Sequence, residues 1–230
     1  MAIKTWSIVQ VTTNSTPASL LYWNEAAAGA AATSTPNIGW TVGKTGITNY
    51  RDLSNGSEVA GFAATIVPNA TAPTSDASYA AATTFSPPTL ISSTDSISTL
   101  YEYNGVFPAG TWTFNFPVIA VGAGGTQDGR MGLRVFKGVR SGTAFASVTQ
   151  LTAARLVGST VSNLATATAQ TSTVTWSAPA FRLNNEFLII KLAWEITGAG
   201  GNNACDIIFR TGAGATMVSP TFKKQRHIIS

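Results

Sequence analysis

Charge is scarce in this chain. Asp, Glu, Lys and Arg make up 10% of its 230 residues, where soluble domains average about 25%. Surfaces of small neutral side chains repel one another weakly, so they suit lasting contact with other copies better than dispersal in a crowded solution. There is one cysteine, Cys205, which excludes an internal disulfide framework and a cysteine-based zinc site. There is one histidine, His227, close to the C-terminus, so a Ser–His–Asp triad would need its base on a terminal tail. No apolar stretch reaches the ~18 residues of a membrane helix. The opening MAIKTWSIVQVTTNS lacks the charged start and unbroken apolar run of a signal peptide, so a soluble chain kept in a reducing compartment is expected. Helix signals are equally thin. Glu25–Ala32 (EAAAGAAA) is broken by Gly29 and soon followed by Pro36, which leaves a turn or two at most.

What the chain does have is alternation with a period of two. In Thr111–Val121 (TWTFNFPVIAV), Trp112, Phe114, Phe116, Val118 and Ala120 share one face, and Pro117 marks an edge, a bulge or a strand end. In Met131–Val139, Met131, Leu133, Val135 and Val139 share a face that Lys137 interrupts, while Arg134 and Phe136 project the other way. Thr171–Trp176 alternates again and ends before Pro179. Phe187–Thr197 sets Leu188, Ile190, Leu192, Trp194 and Ile196 against a mixed face. Trp6–Thr12, Gly39–Val42, Val59–Val67 and Ala204–Arg210 are further strands. Strands parted by Gly, Asn and Pro loops, without alternating helices, predict an all-β fold, an antiparallel sandwich or barrel. The Ala-, Thr-, Ser- and Pro-rich stretch 69–98 reads as a long irregular connection or an arm that orders against a neighbour.

Four segments carry a resemblance: GWTVGKTG at Gly39–Gly46, AGTWTFNF at Ala109–Phe116, TVTWSAPAF at Thr173–Phe181, and LNNEFLIIKLAWEITGAGGNNACDIIFRTG at Leu183–Gly212. Together they resemble a module of tailed-bacteriophage virion proteins, of the capsid-decorating or tail-associated type. The resemblance implies a jelly-roll β-sandwich, assembly as a trimer or higher ring, and a place in the virion after synthesis in the host cytoplasm. The expected organisation is a sandwich over 37–222, an N-terminal extended arm over 1–36 and a basic tail over 223–230.

No pattern of catalytic residues stands out, and neither a cofactor nor a metal is expected. Glu186 and Glu195 would lie about 30 Å apart along a strand at ~3.3 Å per residue, too far for the paired carboxylates of glycoside hydrolysis. Glu195 and Asp206 remain a geometrically open pair, more simply read as turn and edge charge. Asp128 in GGTQDGR lacks the alternating acids of a calcium loop. GAGGTQDG, GAGGNN and GWTVGKTG miss the spacing and helix of a phosphate cradle. The basic group Arg130, Arg134, Lys137 and Arg140 is too small for nucleic acid and suits contacts to a neighbouring subunit. The expected role is a non-enzymatic decoration or cement protein that stabilises a shell by contacts with other copies and with the major capsid protein. Its expected contact residues are Trp23, Tyr50, Phe85, Arg130, Arg134, Lys223, Lys224 and Arg226. The alternative is a tail-fibre or tail-associated receptor module that stacks host-surface glycans on Trp6, Trp40, Tyr101 and Tyr103, aromatics outside the clean core-facing stripes. Neither reading involves nucleic acid or membrane.

Overall fold

The structure, a computed structural model, describes residues 2–11, 20–25, 38–42, 50–52, 91–92, 97–121, 127–141, 144–153, 155–164, 169–196, 205–209 and 215–224. Among these residues there are strands and no helix. In chain order they are β1 (Ile3–Val11), β2 (Leu20–Glu25), β3 (Ile38–Val42), β4 (Tyr50–Asp52), β5 (Ile91–Ser92) and β6 (Ile97–Thr99). Next come β7 (Tyr103–Phe107), β8 (Gly110–Val121), β9 (Gln127–Ser141), β10 (Ala144–Gln150), β11 (Leu156–Val157) and β12 (Val161–Leu164). The last are β13 (Gln170–Ala178), β14 (Phe181–Ile196), β15 (Cys205–Phe209), β16 (Thr216–Pro220) and β17 (Lys223–Lys224). The expected strand over Val59–Val67 lies outside the described residues, as do Phe85 and Arg226.

Two layers face each other across one core. In the first, β8 runs between β13 on one edge and both β16 and β15 on the other, with β1 beyond β16 and β3 beyond β15. In the second, β14 pairs with β9 over ten residues, and β10, β11 and β12 lie along the far edge of β9. The first half of β14 pairs with β7, which in turn pairs with β17. The period-two apolar stripes meet between the layers. Trp112, Phe114, Phe116 and Val118 of β8 and Val174 and Trp176 of β13 pack in one cluster with Met131, Leu133 and Val135 of β9 and Leu188, Ile190 and Leu192 of β14. Alternation produces this because successive side chains of a strand leave by opposite faces.

Pro117 is accommodated at a junction. It sits opposite Thr171, and because it has no N–H this must be a non-hydrogen-bonded pair, with the ring nitrogen turned away from β13. On that other edge β16 covers residues 113–115 and β15 covers 118–121, so the missing donor falls between two ladders.

Three expectations need correction. Residues 1–36 do not form an arm outside the sheets where they are described: β1 pairs with β16 and β2, and Trp6, Ile8 and Trp23 belong to the core. The sheets are antiparallel except at one short place, where β2 runs parallel to β6 through Tyr22↔Ser98 and Trp23↔Thr99. The long connection between these strands leaves room for the crossover that a parallel pair requires. Lys223 and Lys224, placed in a tail, instead extend the β7 edge as β17.

β2 joins the two layers along one side. Ser172 joins them along the other. Its buried hydroxyl donates to the Ser159 carbonyl at 2.8 Å and accepts the Met131 N–H of β9 at 3.0 Å. Ser159 N–H reaches the Thr173 carbonyl at 3.0 Å, and Gly158 N–H reaches the Met131 carbonyl at 2.8 Å. A short segment, 158–159, thus ties the β13 edge to the β9 layer.

Candidate functional surfaces

The basic residues of β9 are engaged within the chain. Arg134, expected to face solvent or a partner, is 1% exposed. It projects away from the main core, yet it is buried on that outer face, where its polar end reaches across to the end of β10. Arg134 Nη1 donates to Gln150 Oε1 at 3.4 Å, and Gln150 Nε2 donates to the Thr152 carbonyl. Phe136 lies on the same face and forms a second small core with Phe145 and Ile189, against which Val148 and Phe187 pack. The Arg140 guanidinium lies 5.1 Å from the ring centres of both Phe145 and Phe187, which are themselves in contact at 5.6 Å, so it makes a cation–π contact with each. Lys137 pairs with Glu186 at 2.9 Å in a partly buried bridge. The same carboxylate accepts the Asn184 N–H at 2.9 Å across a bulge, where Asn185 takes φ 52°. Arg130 is half-buried and stands opposite Glu195 on β14.

Glu195 and Asp206 are not brought onto neighbouring strands. Glu195 faces Arg130 and Tyr50, whereas Asp206 faces Val121 and Thr41. For Tyr50 and Trp40 the backbone alone is described. Asp128 accepts the Asn163 N–H at 2.7 Å and so pins the bulge of β12. Among the described residues no group of three His, Cys, Asp or Glu gathers to hold a metal.

The tryptophans expected at the surface are inside. Trp6 is 0% exposed, and its indole N–H donates to Ser219 Oγ at 2.9 Å. Neither sugar stacking nor contact with a partner is open to a buried ring, so Trp6 is withdrawn as a stacking platform and Trp23, also 0% exposed, as an interface residue. Trp23 packs edge-on to Phe116, 6.4 Å between centres. Tyr103 is half-buried and lies on an aromatic floor, 5.8 Å from Trp6, 5.0 Å from Phe222 and 6.3 Å from Phe107. Tyr101 alone of the expected sugar platforms is shown to be widely exposed, at 63%. Lys223 is exposed and stands opposite Val106 of β7.

Burial, followed by the charge of Glu25 and a hydrogen bond to it, holds the Tyr103 phenol well above the usual tyrosine range. A raised phenol stabilises the fold while both states are protonated. Above pH ~10 the unfolded chain ionises at this residue and the folded one does not, so stability falls by about 1.4 kcal/mol per pH unit. Urea titrations from pH 9 to 11.5 should therefore show a shallower alkaline loss for Tyr103→Phe than for the wild type. Parallel pH curves would show that burial and Glu25 do not hold the phenol above its usual range.

The third surface was not anticipated. The outward face of β13, β8, β16 and β1 carries two continuous rows: Thr175, Thr113, Val218 and Thr5, then Thr173, Asn115, Thr216 and Ser7. Thr173 Oγ1 donates to Asn115 Oδ1 at 2.9 Å, and Asn115 Nδ2 donates to Thr216 Oγ1 at 3.2 Å. Ser177 and Thr111 form a further exposed pair. These rows contain no charged residue. The sequence signal was present in the polar positions of TSTVTWS and TWTFN, which alternate with the core aromatics. No family model matches the chain, and no curated protein matches it either.

Proposed function

We propose that this protein is a non-enzymatic structural component of a tailed-phage virion, a jelly-roll decoration protein. Its copies associate with one another, as a trimer or higher ring, and with the major capsid protein. The observation that carries the reading is the uncharged Thr/Ser/Asn face that crosses four strands. Thr173, Asn115 and Thr216 are linked there by hydrogen bonds to one another, and such an uncharged face can meet another copy without burying an unpaired charge. The resemblance of the strand segments to virion modules points the same way. With strands ~4.8 Å apart and ~3.3 Å per residue, the face spans about 15 Å across the four strands and about 13 Å along β8 from Thr111 to Asn115. That is less than the ~800 Å² per partner of a standard interface, so assembly draws on a second contact per copy, as rings and shell lattices provide.

Two measurements test this. Light scattering at 5–200 μM should give a trimer or larger species. Thr113→Lys combined with Thr175→Lys should leave a folded monomer, because it sets like charges on opposed copies. Gel densitometry and electron cryo-microscopy of purified particles should place hundreds of copies on the shell. A monomeric wild type absent from the shell would end the proposal, and a few dozen copies at the tail would replace decoration with the receptor reading.

A further inference from the structure

β6 ends at Thr99 and β7 begins at Tyr103, so Tyr101 sits in the middle of a three-residue connection. This connection is clamped on both sides. The fully buried Thr99 hydroxyl donates to the Tyr101 carbonyl at 2.9 Å and accepts the Leu188 N–H of β14 at 3.2 Å. Leu100 N–H donates to the Trp23 carbonyl at 2.9 Å and so carries the parallel β2–β6 ladder one step beyond Trp23↔Thr99. Tyr101 follows directly after this bond and Glu25 lies two residues beyond Trp23, so both belong to the same corner of the fold. Glu25 is ion-paired to Lys4 at 2.8 Å, and both remain partly open to solvent. Behind them Tyr103, Trp6 and Phe222 form a packed aromatic base. The corner therefore combines an exposed ring on an anchored backbone with an ion-paired carboxylate and ammonium from the adjoining ends of β1 and β2.

We propose that this corner is a glycan-binding site for a neutral sugar. One pyranose ring lays its apolar C–H face on Tyr101 while Glu25 accepts from, and Lys4 donates to, its hydroxyls. Recognition of this type needs an aromatic surface and a few oriented polar groups, and it gains when neither side has to be ordered on binding. The charges select the ligand class. Lys4 and Glu25 offset each other, and the exposed Glu102 next to Tyr101 opposes anionic sugars. The site lies outside the uncharged Thr face, so it does not depend on the decoration reading.

The full chain would be titrated by calorimetry and saturation-transfer NMR with neutral hexasaccharides: α-1,4-, β-1,4- and β-1,3-glucans, α-1,6-mannan and β-1,4-linked N-acetylglucosamine. Saturable binding to at least one is expected. Tyr101→Ala should weaken it tenfold or more with an unchanged melting temperature, since the ring is exposed. Tyr101→Trp should bind within threefold of the wild type, and Glu25→Gln should weaken binding while leaving the stacking signal of the sugar C–H protons. Failure of every neutral sugar to saturate, unaltered binding by Tyr101→Ala, or preference for a polyanionic glycan would each overturn the proposal. The oligomer and particle measurements are unaffected by any of these outcomes.

Discussion

Trp112→Ala should lower stability by about 3–5 kcal/mol, the usual range for removing a large buried aromatic. At about 2–4 °C per kcal/mol for a chain of this size, the melting temperature should drop by about 10 °C. Trp112 lies inside a dense aromatic cluster. Its ring centre is 5.0 Å from Phe107, 5.8 Å from Trp176 and 5.9 Å from Phe181. Phe107 also stacks on Phe181 at 5.2 Å and meets Phe222 at 4.8 Å. Truncating Trp112 thus removes a shared wall between β7, β8, β13 and the start of β14, and β8, hydrogen-bonded along both edges, cannot collapse freely into the gap. Trp112→Phe should behave differently. The Trp112 indole N–H is buried with no acceptor among the described residues, a defect that phenylalanine discards. Relief of ~1–3 kcal/mol of desolvation offsets most of the lost packing, so the net change should stay below about 1.5 kcal/mol. Trp6→Phe is the control: its N–H is satisfied by Ser219, so that substitution forfeits a buried hydrogen bond and gains no such relief. Chemical denaturation of the three variants would decide. Equal losses for Trp112→Phe and Trp6→Phe would show that the two indoles do not differ in their hydrogen bonding.

The long strands could be read from the sequence because their stripes are uninterrupted. TWTFNF, TSTVTW and FLIIKLAW alternate over enough residues to fix both the strand and its inner face, and the structure buries Trp112, Phe114, Val174, Leu188 and Ile190 accordingly. Trp6 was misplaced because its stripe is short and ends at Gln10; its burial comes from Ser219 and Tyr103, far away in sequence. Arg134 was misplaced for a related reason. Alternation assigns one face to the core and the other to solvent, but on β9 the outer face is buried as well, in a second cluster built with side chains of the neighbouring strands β10 and β14. Phe136, Phe187 and Ile189 on that same outer face were the available clue. Tyr101 was legible as a surface aromatic because no stripe claims it. Its rigid setting was not, because that depends on Thr99 bridging to Leu188 and on a parallel ladder to β2. The uncharged face was hidden by its blandness: Thr, Ser and Asn signal nothing singly, and only the register sets Thr173, Asn115 and Thr216 in one line.

Gly158→Val should be among the most damaging single changes available at a position that carries no side chain. A Cβ at Gly158 would stand 2.7 Å from Ser172 Oγ, 3.0 Å from Val174 Cγ2 and 3.1 Å from the Thr173 carbonyl. None of the three can retreat easily. Ser172 Oγ is fixed by two hydrogen bonds, to the Ser159 carbonyl and from Met131 N–H; Thr173 O holds Ser159 N–H; Val174 is fully buried in the core. The first methyl group must therefore push the 158–159 segment off β13, which breaks the connection between the layers on that side. Overpacking typically costs about 1–3 kcal/mol, and loss of a buried hydrogen bond adds about 1 kcal/mol or more. Gly158→Ala should fall near 2 kcal/mol and Gly158→Val near 4 kcal/mol by the same reasoning. Combining Gly158→Ala with Ser172→Ala discriminates strain from loss of intrinsic backbone freedom. Removing the hydroxyl relieves the closest clash, so the double variant should lose less than the sum of the two single variants. Strict additivity would mean that the penalty at Gly158 does not arise from Ser172, and the close seam between β13 and the β9 layer would then not be what requires a glycine there.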